Sequence, residues 1–184
     1  MSNTFQKTEW PKSNVKNVLA PYSDRMKKLL ENPEAFYTPK KRPSGHDIGK
    51  GFGKDNGGAI PSSLINLPNT ESNGRYDAFC KTVGASRHPA RFPAGLPEFF
   101  IKMLTEPNDT VLDIFAGSNV TGQVSEGLER KWLSCELNPE YVACSSFRFM
   151  DAGSSEHNIF VTYENIMNGK FEDLFHNEKQ HLLL

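Results

Sequence analysis

Residues 110–122, TVLDIFAGSNVTG, and the acid at Glu136 hold the side chains whose types and spacing could do chemistry. Asp113 closes an apolar run, Gly117 sits in a turn of small residues, and Ser118 and Thr121 carry hydroxyls. An acid about 20 residues past such a turn is where a doubly wound nucleotide site keeps the carboxylate that binds ribose hydroxyls. The turn is not GxGxxG and has no Gly-Lys-Ser/Thr, so a dinucleotide or a triphosphate is disfavoured. An adenosine ligand without phosphate fits better. An ordinary βαβ unit with a Gly-rich turn matches the same pattern.

Several elements must position these groups. Residues 110–114 open with β-branched side chains and read as a buried parallel strand. The small residues 115–119 break the run, and 120–128 resumes with helical spacing. Strand, tight turn and helix together let backbone N–H groups and a helix N-terminus approach a ligand closely. Lys131-Trp132-Leu133-Ser134-Cys135 is a second apolar run, and it ends in Glu136. Asp113 lies at its strand's carboxyl end, where burial without a partner would be costly. Upstream, Pro89 and Pro93 force an extended entry that could lay Phe92 against an adenine or methionine moiety, or into the core. A helix over 96–104 follows, with Phe99, Phe100, Met103 and Leu104 as its expected buried stripe. Downstream, Asn138-Pro139 starts a helix over 140–150 with Tyr141, Val142, Ser145 and Phe149 inward, and a last helix covers 159–167.

DIFAGSNVTG resembles the S-adenosylmethionine motif of amino-methylating DNA methyltransferases, whose usual form is D-P-F-A-G-S-G-T-T or D-x-F-G-G-S-N-T-T-G. HPARFPAGLPEFFIKMLTEPND is similar to the element just before that motif in the circularly ordered β group. RKWLSCELNPEYVACSSFRFMD resembles the second motif and its helix. The likeness is strongest to the N4-cytosine methyltransferases of restriction–modification systems, in particular the PvuII kind. It runs from about residue 7 to about residue 169 and takes in KTEWPKSNVKNVLAPYSDRMKKLL and FYTPKKRPSGHDIGK. The resemblance implies an α/β chain forming the C-terminal half of a Rossmann-like methyltransferase fold, with an irregular target-recognition region. It implies S-adenosylmethionine as methyl donor, held by His88, Phe92, Pro93, Asp113, Phe115, Ala116, Gly117, Ser118, Thr121, Glu136 and Leu137. Asp113 would meet the methionine ammonium or cap the turn. Ser118 and Thr121 would donate to the ligand's carboxylate or cap the helix, and Glu136 would take the ribose diol.

Residues 36–75 change character. FYTPKKRPSGHDIGKGFGKDNGGAIPSS is rich in Gly, Pro, Lys and Asn and has no core of its own, as in a linker. Its cations are nevertheless interleaved with aromatic and polar residues. Lys40, Lys41, Lys50 and Lys54 suit phosphate contacts, and Arg42, Ser44 or His46 suit base edges. The resemblance places the target-recognition region here and hints at a palindromic CAGCTG site in double-stranded DNA. A short helix ending at Gly84 closes the region and is assigned no chemistry. Ahead of it, Ser23-Asp24 caps a short helix with Met26, Leu29 and Leu30 on one side and Lys27-Lys28 outward, ended by Pro33. Residues 1–35 thus form an N-terminal segment, 36–87 the recognition region, 88–170 the donor-binding half-domain and 171–184 a tail.

Composition adds exclusions. Net charge is −1 and 23% of residues are charged, as expected for a soluble globular domain. No apolar run reaches the roughly 18 residues of a membrane helix, and MSNTFQKTEWPK has no signal-peptide core. The expected location is the prokaryotic cytoplasm. Cys80, Cys135 and Cys144 are odd in number and lack CxxC spacing, which reads as reduced packing cysteines. The five histidines form no ligand cluster, so no metal is expected.

One motif is absent. In the resembled enzymes a Ser/Asp/Asn-Pro-Pro-aromatic tetrapeptide holds the flipped base and polarises its amine. This sequence has no Pro-Pro pair, so it contains no catalytic residues of that kind. In the β-group order the tetrapeptide would lie upstream of Met1. A half sheet would also leave an edge strand unpaired and an apolar face in water. The leading expectation is therefore one part of a split cytosine-N4 methyltransferase, inactive alone. A complementary N-terminal subunit carrying the Pro-Pro motif, or self-association, would complete it. An adenine-N6 enzyme of the same family and a non-catalytic DNA-binding or interaction fragment are the alternatives.

Overall fold

The computed structural model describes residues 14–36, 53–68 and 74–170. It divides into two compact units, a smaller one over 14–64 and a larger one holding the rest.

The smaller unit is built by capping and by one bridge. Helix α1 (Asp24–Glu31) starts at Ser23, whose hydroxyl accepts the Met26 N–H at 3.3 Å, and Leu29 is its buried residue. Pro33 ends that helix as expected but also opens a further turn, α2 (Pro33–Phe36), because proline's missing N–H costs nothing at a helix start. Ala20 and Ala59 exchange both backbone hydrogen bonds at 2.9 Å in an antiparallel bridge. Within the loop so closed, the Tyr22 hydroxyl donates to Asp55 Oδ1 and accepts the Asn56 N–H, both at 2.9 Å. The Gly57 N–H, and after it the Tyr22 hydroxyl, hold the Asp55 carboxyl below its usual range.

The larger unit has an α/β architecture around two parallel strands. These are β1 (Thr110–Asp113) and β2 (Lys131–Ser134), with Thr110 opposite Lys131 and Asp113 opposite Ser134. Their crossover is helix α5 (Val120–Gly127). Before β1 come α3 (Gly74–Thr82) and α4 (Gly95–Leu104); after β2 come α6 (Pro139–Ser145) and α7 (Glu156–Met167). Asn138 and Ser155 cap α6 and α7 through their side chains, accepting from Glu140 N and Asn158 N. Gly84, at φ +72°, turns the chain out of α3.

The core lies on the α3–α6–α7 side: Tyr76, Phe79 and Cys80 pack with Cys144, Phe147 and Ile159. Phe79 and Phe147 meet edge to face at 5.9 Å. The free thiols of Cys80 and Cys144 are buried, and the Cys80 hydrogen bond, then burial, pushes the Cys144 thiol up. Arg130 ties the far end together, donating to the Thr105 hydroxyl, the Thr105 carbonyl and the Leu128 carbonyl at 2.6–3.1 Å.

The structure corrects three expectations here. The buried residues of α4 are Pro97 and Ile101, one turn apart, whereas Phe100 and Leu104 are nearly half exposed. Helix α6 stops at Ser145 and passes into a 3₁₀ turn, Ser146–Arg148. Ala143, Cys144, Phe147 and Arg148 join Ser145 inside, where Cys144 and Phe147 pack with α3 and α7, while Tyr141, Val142 and Phe149 are only partly covered. Past Ser145 the tighter winding, three residues per turn, shifts the side chains from their α-helical positions. Strand β1 is parallel as expected but not fully buried, since Leu112 is 60% exposed. Among the described residues β2 is its only neighbour.

Candidate cofactor site

The carboxyl ends of β1 and β2 open side by side, and the chain turns there through two residues of positive φ, Gly117 and Asn119. Parallel pairing carries past the strands: Cys135 N donates to Asp113 O at 2.8 Å, and Ala116 N to Cys135 O at 3.0 Å. That pairing delivers Gly117 to Glu136. The Gly117 N–H donates to Glu136 Oε2 at 2.9 Å, and the Asn138 N–H donates to Oε1 at 2.9 Å. One carboxylate thus joins the turn after β1 to the start of α6. A carboxylate has about four acceptor positions, so these two bonds leave room for two hydroxyls of a ligand.

Gly117 is required twice over. Its φ is +52°, and a Cβ there would come within 3.0 Å of the His88 ring atoms Cε1 and Nε2. His88 is fixed in turn. Its N–H donates to the Tyr76 hydroxyl at 3.3 Å, its Nδ1 lies 2.8 Å from the Ala90 carbonyl, and its ring meets Tyr141 edge on at 4.7 Å. The Ala90 carbonyl can only accept, so Nδ1 carries the proton of that bond.

Asp113 Oδ1 accepts the Phe115 N–H at 3.0 Å, so the side chain does cap the turn, and nothing else among the described residues bonds it. Phe115 and Leu137 flank the opening at 85% and 98% exposure, and Phe92 is about half exposed. Large apolar side chains left in water at a strand end suit stacking on a planar ligand. Ala116 is partly covered, as are Pro93 and Thr121.

Two assignments shift on inspection. Neither Ser118 nor Thr121 caps α5. The cap is Asn119, left-handed at φ 55°, whose Oδ1 accepts both the Gly122 N–H at 3.0 Å and the Ser134 hydroxyl at 2.8 Å. The Ser118 side chain faces inward instead. Its hydroxyl accepts from Arg148 Nη2 at 3.0 Å and its carbonyl from Arg148 Nε. Arg148 and Tyr76 had no motif to announce them. Asn119 had one faint signal, for the resembled motif carries either Gly or Asn at that position, the two residues that tolerate the left-handed region.

The six expected DNA contacts Lys40, Lys41, Arg42, Ser44, His46 and Lys50 lie outside the described residues. Lys54 is described and exposed, next to the Asp55 loop of the smaller unit. Among the described residues no helix is long and apolar enough to cross a membrane, and no acid, histidine and cysteine group could hold a metal.

A family model described as DNA methylase, for N6- and N4-directed enzymes, matches residues 2–147. The type II methyltransferase M.PvuII of Proteus hauseri is 64% identical over 170 residues, which is 92% of this chain and 51% of the relative. A solved structure titled PvuII DNA methyltransferase (cytosine-N4-specific) superposes with a TM-score of 0.64 and 46% identity, over 89% of this chain and 45% of that one. The DNA adenine methyltransferase YhdJ of Escherichia coli (strain K12) is 42% identical over a shorter 55 residues, 30% of this chain and 19% of the relative. The chain thus spans about half the length of the PvuII relative it matches. With a family match across most of its residues, the chain belongs to the N6/N4 DNA methylase family.

Proposed function

We propose that this chain is the methyl-donor-binding and DNA-recognising part of a cytosine-N4 DNA methyltransferase, and that it forms the C-terminal half of a Rossmann-like fold. Type II DNA methyltransferases use S-adenosylmethionine as methyl donor, and the residues at the strand ends fit such a ligand. The observation that carries the reading is the Gly117–Glu136 bond, which puts an acid with spare acceptor capacity against a turn with no Cβ, beside Asp113. When bound, the donor supplies a methyl group activated on a sulfonium. The chain's own groups position it: Glu136 accepts ribose hydroxyls, Asp113 offers negative charge to the ammonium, and Phe92, Phe115 and Leu137 cover apolar surface. Holding reactants in a reactive geometry is the main contribution such a site makes to an in-line transfer.

Cytosine is favoured over adenine by the extent of the PvuII match, 92% of this chain against 30% for the adenine relative. The target contacts are assigned to residues 40–54 on double-stranded DNA. In the finer reading a complementary polypeptide with the Pro-Pro tetrapeptide completes the base pocket, and the chain is inactive without it. The PvuII relative matches this chain within one polypeptide about twice as long and gives no support to a separate subunit. Restriction–modification in a prokaryotic cytoplasm is the setting this reading implies.

Calorimetric titration of S-adenosylmethionine into the chain, alone and with any candidate Pro-Pro polypeptide, tests the reading. Asp113→Ala should abolish binding. Asp113→Asn keeps an oxygen for the Phe115 N–H but loses the charge, so it should fold normally and still lose affinity by about tenfold or more, about 1.4 kcal/mol. Wild-type affinity in both variants would remove Asp113 from the site. No binding by wild type under either condition would leave a non-catalytic DNA-binding role ahead.

A further inference from the structure

Arg148 is almost fully buried, and its contacts reach the donor turn, the first turns of α5 and α3. Its Nε donates to the Ser118 carbonyl, Nη2 to the Ser118 hydroxyl at 3.0 Å, and Nη1 to Gln123 Oε1 at 3.0 Å on the first turns of α5. Its guanidinium carbon lies 4.6 Å from the centroid of the buried Tyr76 ring. The Arg75 side chain holds the Arg148 carbonyl at 2.6 Å, which anchors the backbone as well. Burial pulls the guanidinium down to about 10, still far above neutral pH, so the group stays charged.

These contacts divide the turn between two holders. Glu136 takes the Gly117 N–H from one side, and Arg148 takes the Ser118 carbonyl and hydroxyl from the other. The peptide between them is fixed at both ends, and the Ser118 N–H has no acceptor among the described residues. A rigid, unclaimed amide with a fixed positive charge beneath it is suited to an anionic group, since preorganised donors lose nothing on binding.

We infer that Arg148 is a positioning residue for the methyl donor: it presents the Ser118 peptide to the donor's carboxylate and makes the site prefer ligands that carry the amino-acid end. The inference rests on the donor reading above and goes beyond it by naming what selects that end. Arginine is needed because one fork reaches a carbonyl and a hydroxyl together, which a lysine ammonium, a point donor on a flexible stem, does not reproduce.

The test compares S-adenosylhomocysteine with 5′-methylthioadenosine, which lacks the amino-acid end, on the wild-type chain, Arg148→Lys and Arg148→Met. In wild type the former should bind more tightly. Arg148→Met should cut that ratio by about tenfold, and Arg148→Lys, which keeps charge without the fork, should restore only part of it. A purely structural role would weaken both ligands equally, and an unchanged ratio in both variants overturns the inference. Amide hydrogen exchange supplies a readout that needs no ligand. In Arg148→Lys, exchange over residues 117–122 should rise while α7 keeps its protection. Unchanged turn amides would overturn the positioning role even if the wild-type chain bound neither ligand, and absence of binding both alone and with a Pro-Pro polypeptide would separately sink the donor reading.

Discussion

Gly117 shows how narrow the choice is at one residue of this site. A non-glycine residue in the left-handed region costs about 1–2 kcal/mol, and the His88 ring stands only 3.0 Å from where its Cβ would go. Gly117→Ala should therefore destabilise the larger unit by more than that backbone cost, as read by denaturant unfolding, and should weaken donor binding. Adding His88→Ala should return only the steric part, because φ stays positive. Full recovery in the double variant would mean that the backbone conformation carries no cost here. Part of this placement was legible in the sequence: Gly117 and Glu136 are bonded at the strand ends, with Asp113 at the start of the same turn, as their spacing suggests. Arg148 was not, because an arginine between two phenylalanines carries no periodic signal and its partners lie about 30 residues away in the chain.

At the scale of elements, α5 depends on Asn119. Its side chain takes the place of a Ser or Thr cap, and its backbone makes the left-handed step into the helix. It also carries a liability, since Nδ2 is buried with no acceptor among the described residues, a condition that costs about 1–3 kcal/mol. Asn119→Gly keeps the backbone step and removes the orphaned donor, though it loses the bonds from Gly122 and Ser134. Asn119→Ala loses those bonds and adds the backbone penalty. Thermal unfolding should place Asn119→Ala below Asn119→Gly by about 1–2 kcal/mol, and the reverse order would contradict the account of the cap. Helix existence was readable from capping and periodicity, as Ser23 and Asn138 show, whereas the Ser155 cap and the first turn of α7 were missed. The buried face was less so. Phe99, Phe100, Met103 and Leu104 make the stronger apolar stripe on α4, but Pro97 and Ile101 are the residues the fold buries. Periodicity names an apolar face without naming the neighbour that covers it.

For the larger unit as a whole, the balance of covered and bare surface sets its behaviour. The helices α3, α6 and α7 share a core with Phe147, Cys80 and Cys144 fully enclosed. The strands are covered unevenly: Trp132 and Ser134 of β2 are buried, but no residue of β1 is. Leu112, Ile114, Phe115 and Leu137 stand more than half exposed, and β1 has one paired edge among the described residues. An open, apolar edge strand is a template for pairing with another chain. In isolation the chain should therefore self-associate as its concentration rises, with a sedimentation coefficient that climbs over the micromolar range. Leu112→Lys puts a charge on that strand, the device natural edge strands use against pairing, and should shift association to higher concentration without lowering the unfolding midpoint. A polypeptide that completes the sheet should suppress association of the wild-type chain to the same extent, because both cover one surface. A wild-type chain that sediments as a monomer throughout would show that the exposed strand is no interface. Association that ignores Leu112→Lys would move the contact to the bare Phe100 and Leu104 of α4.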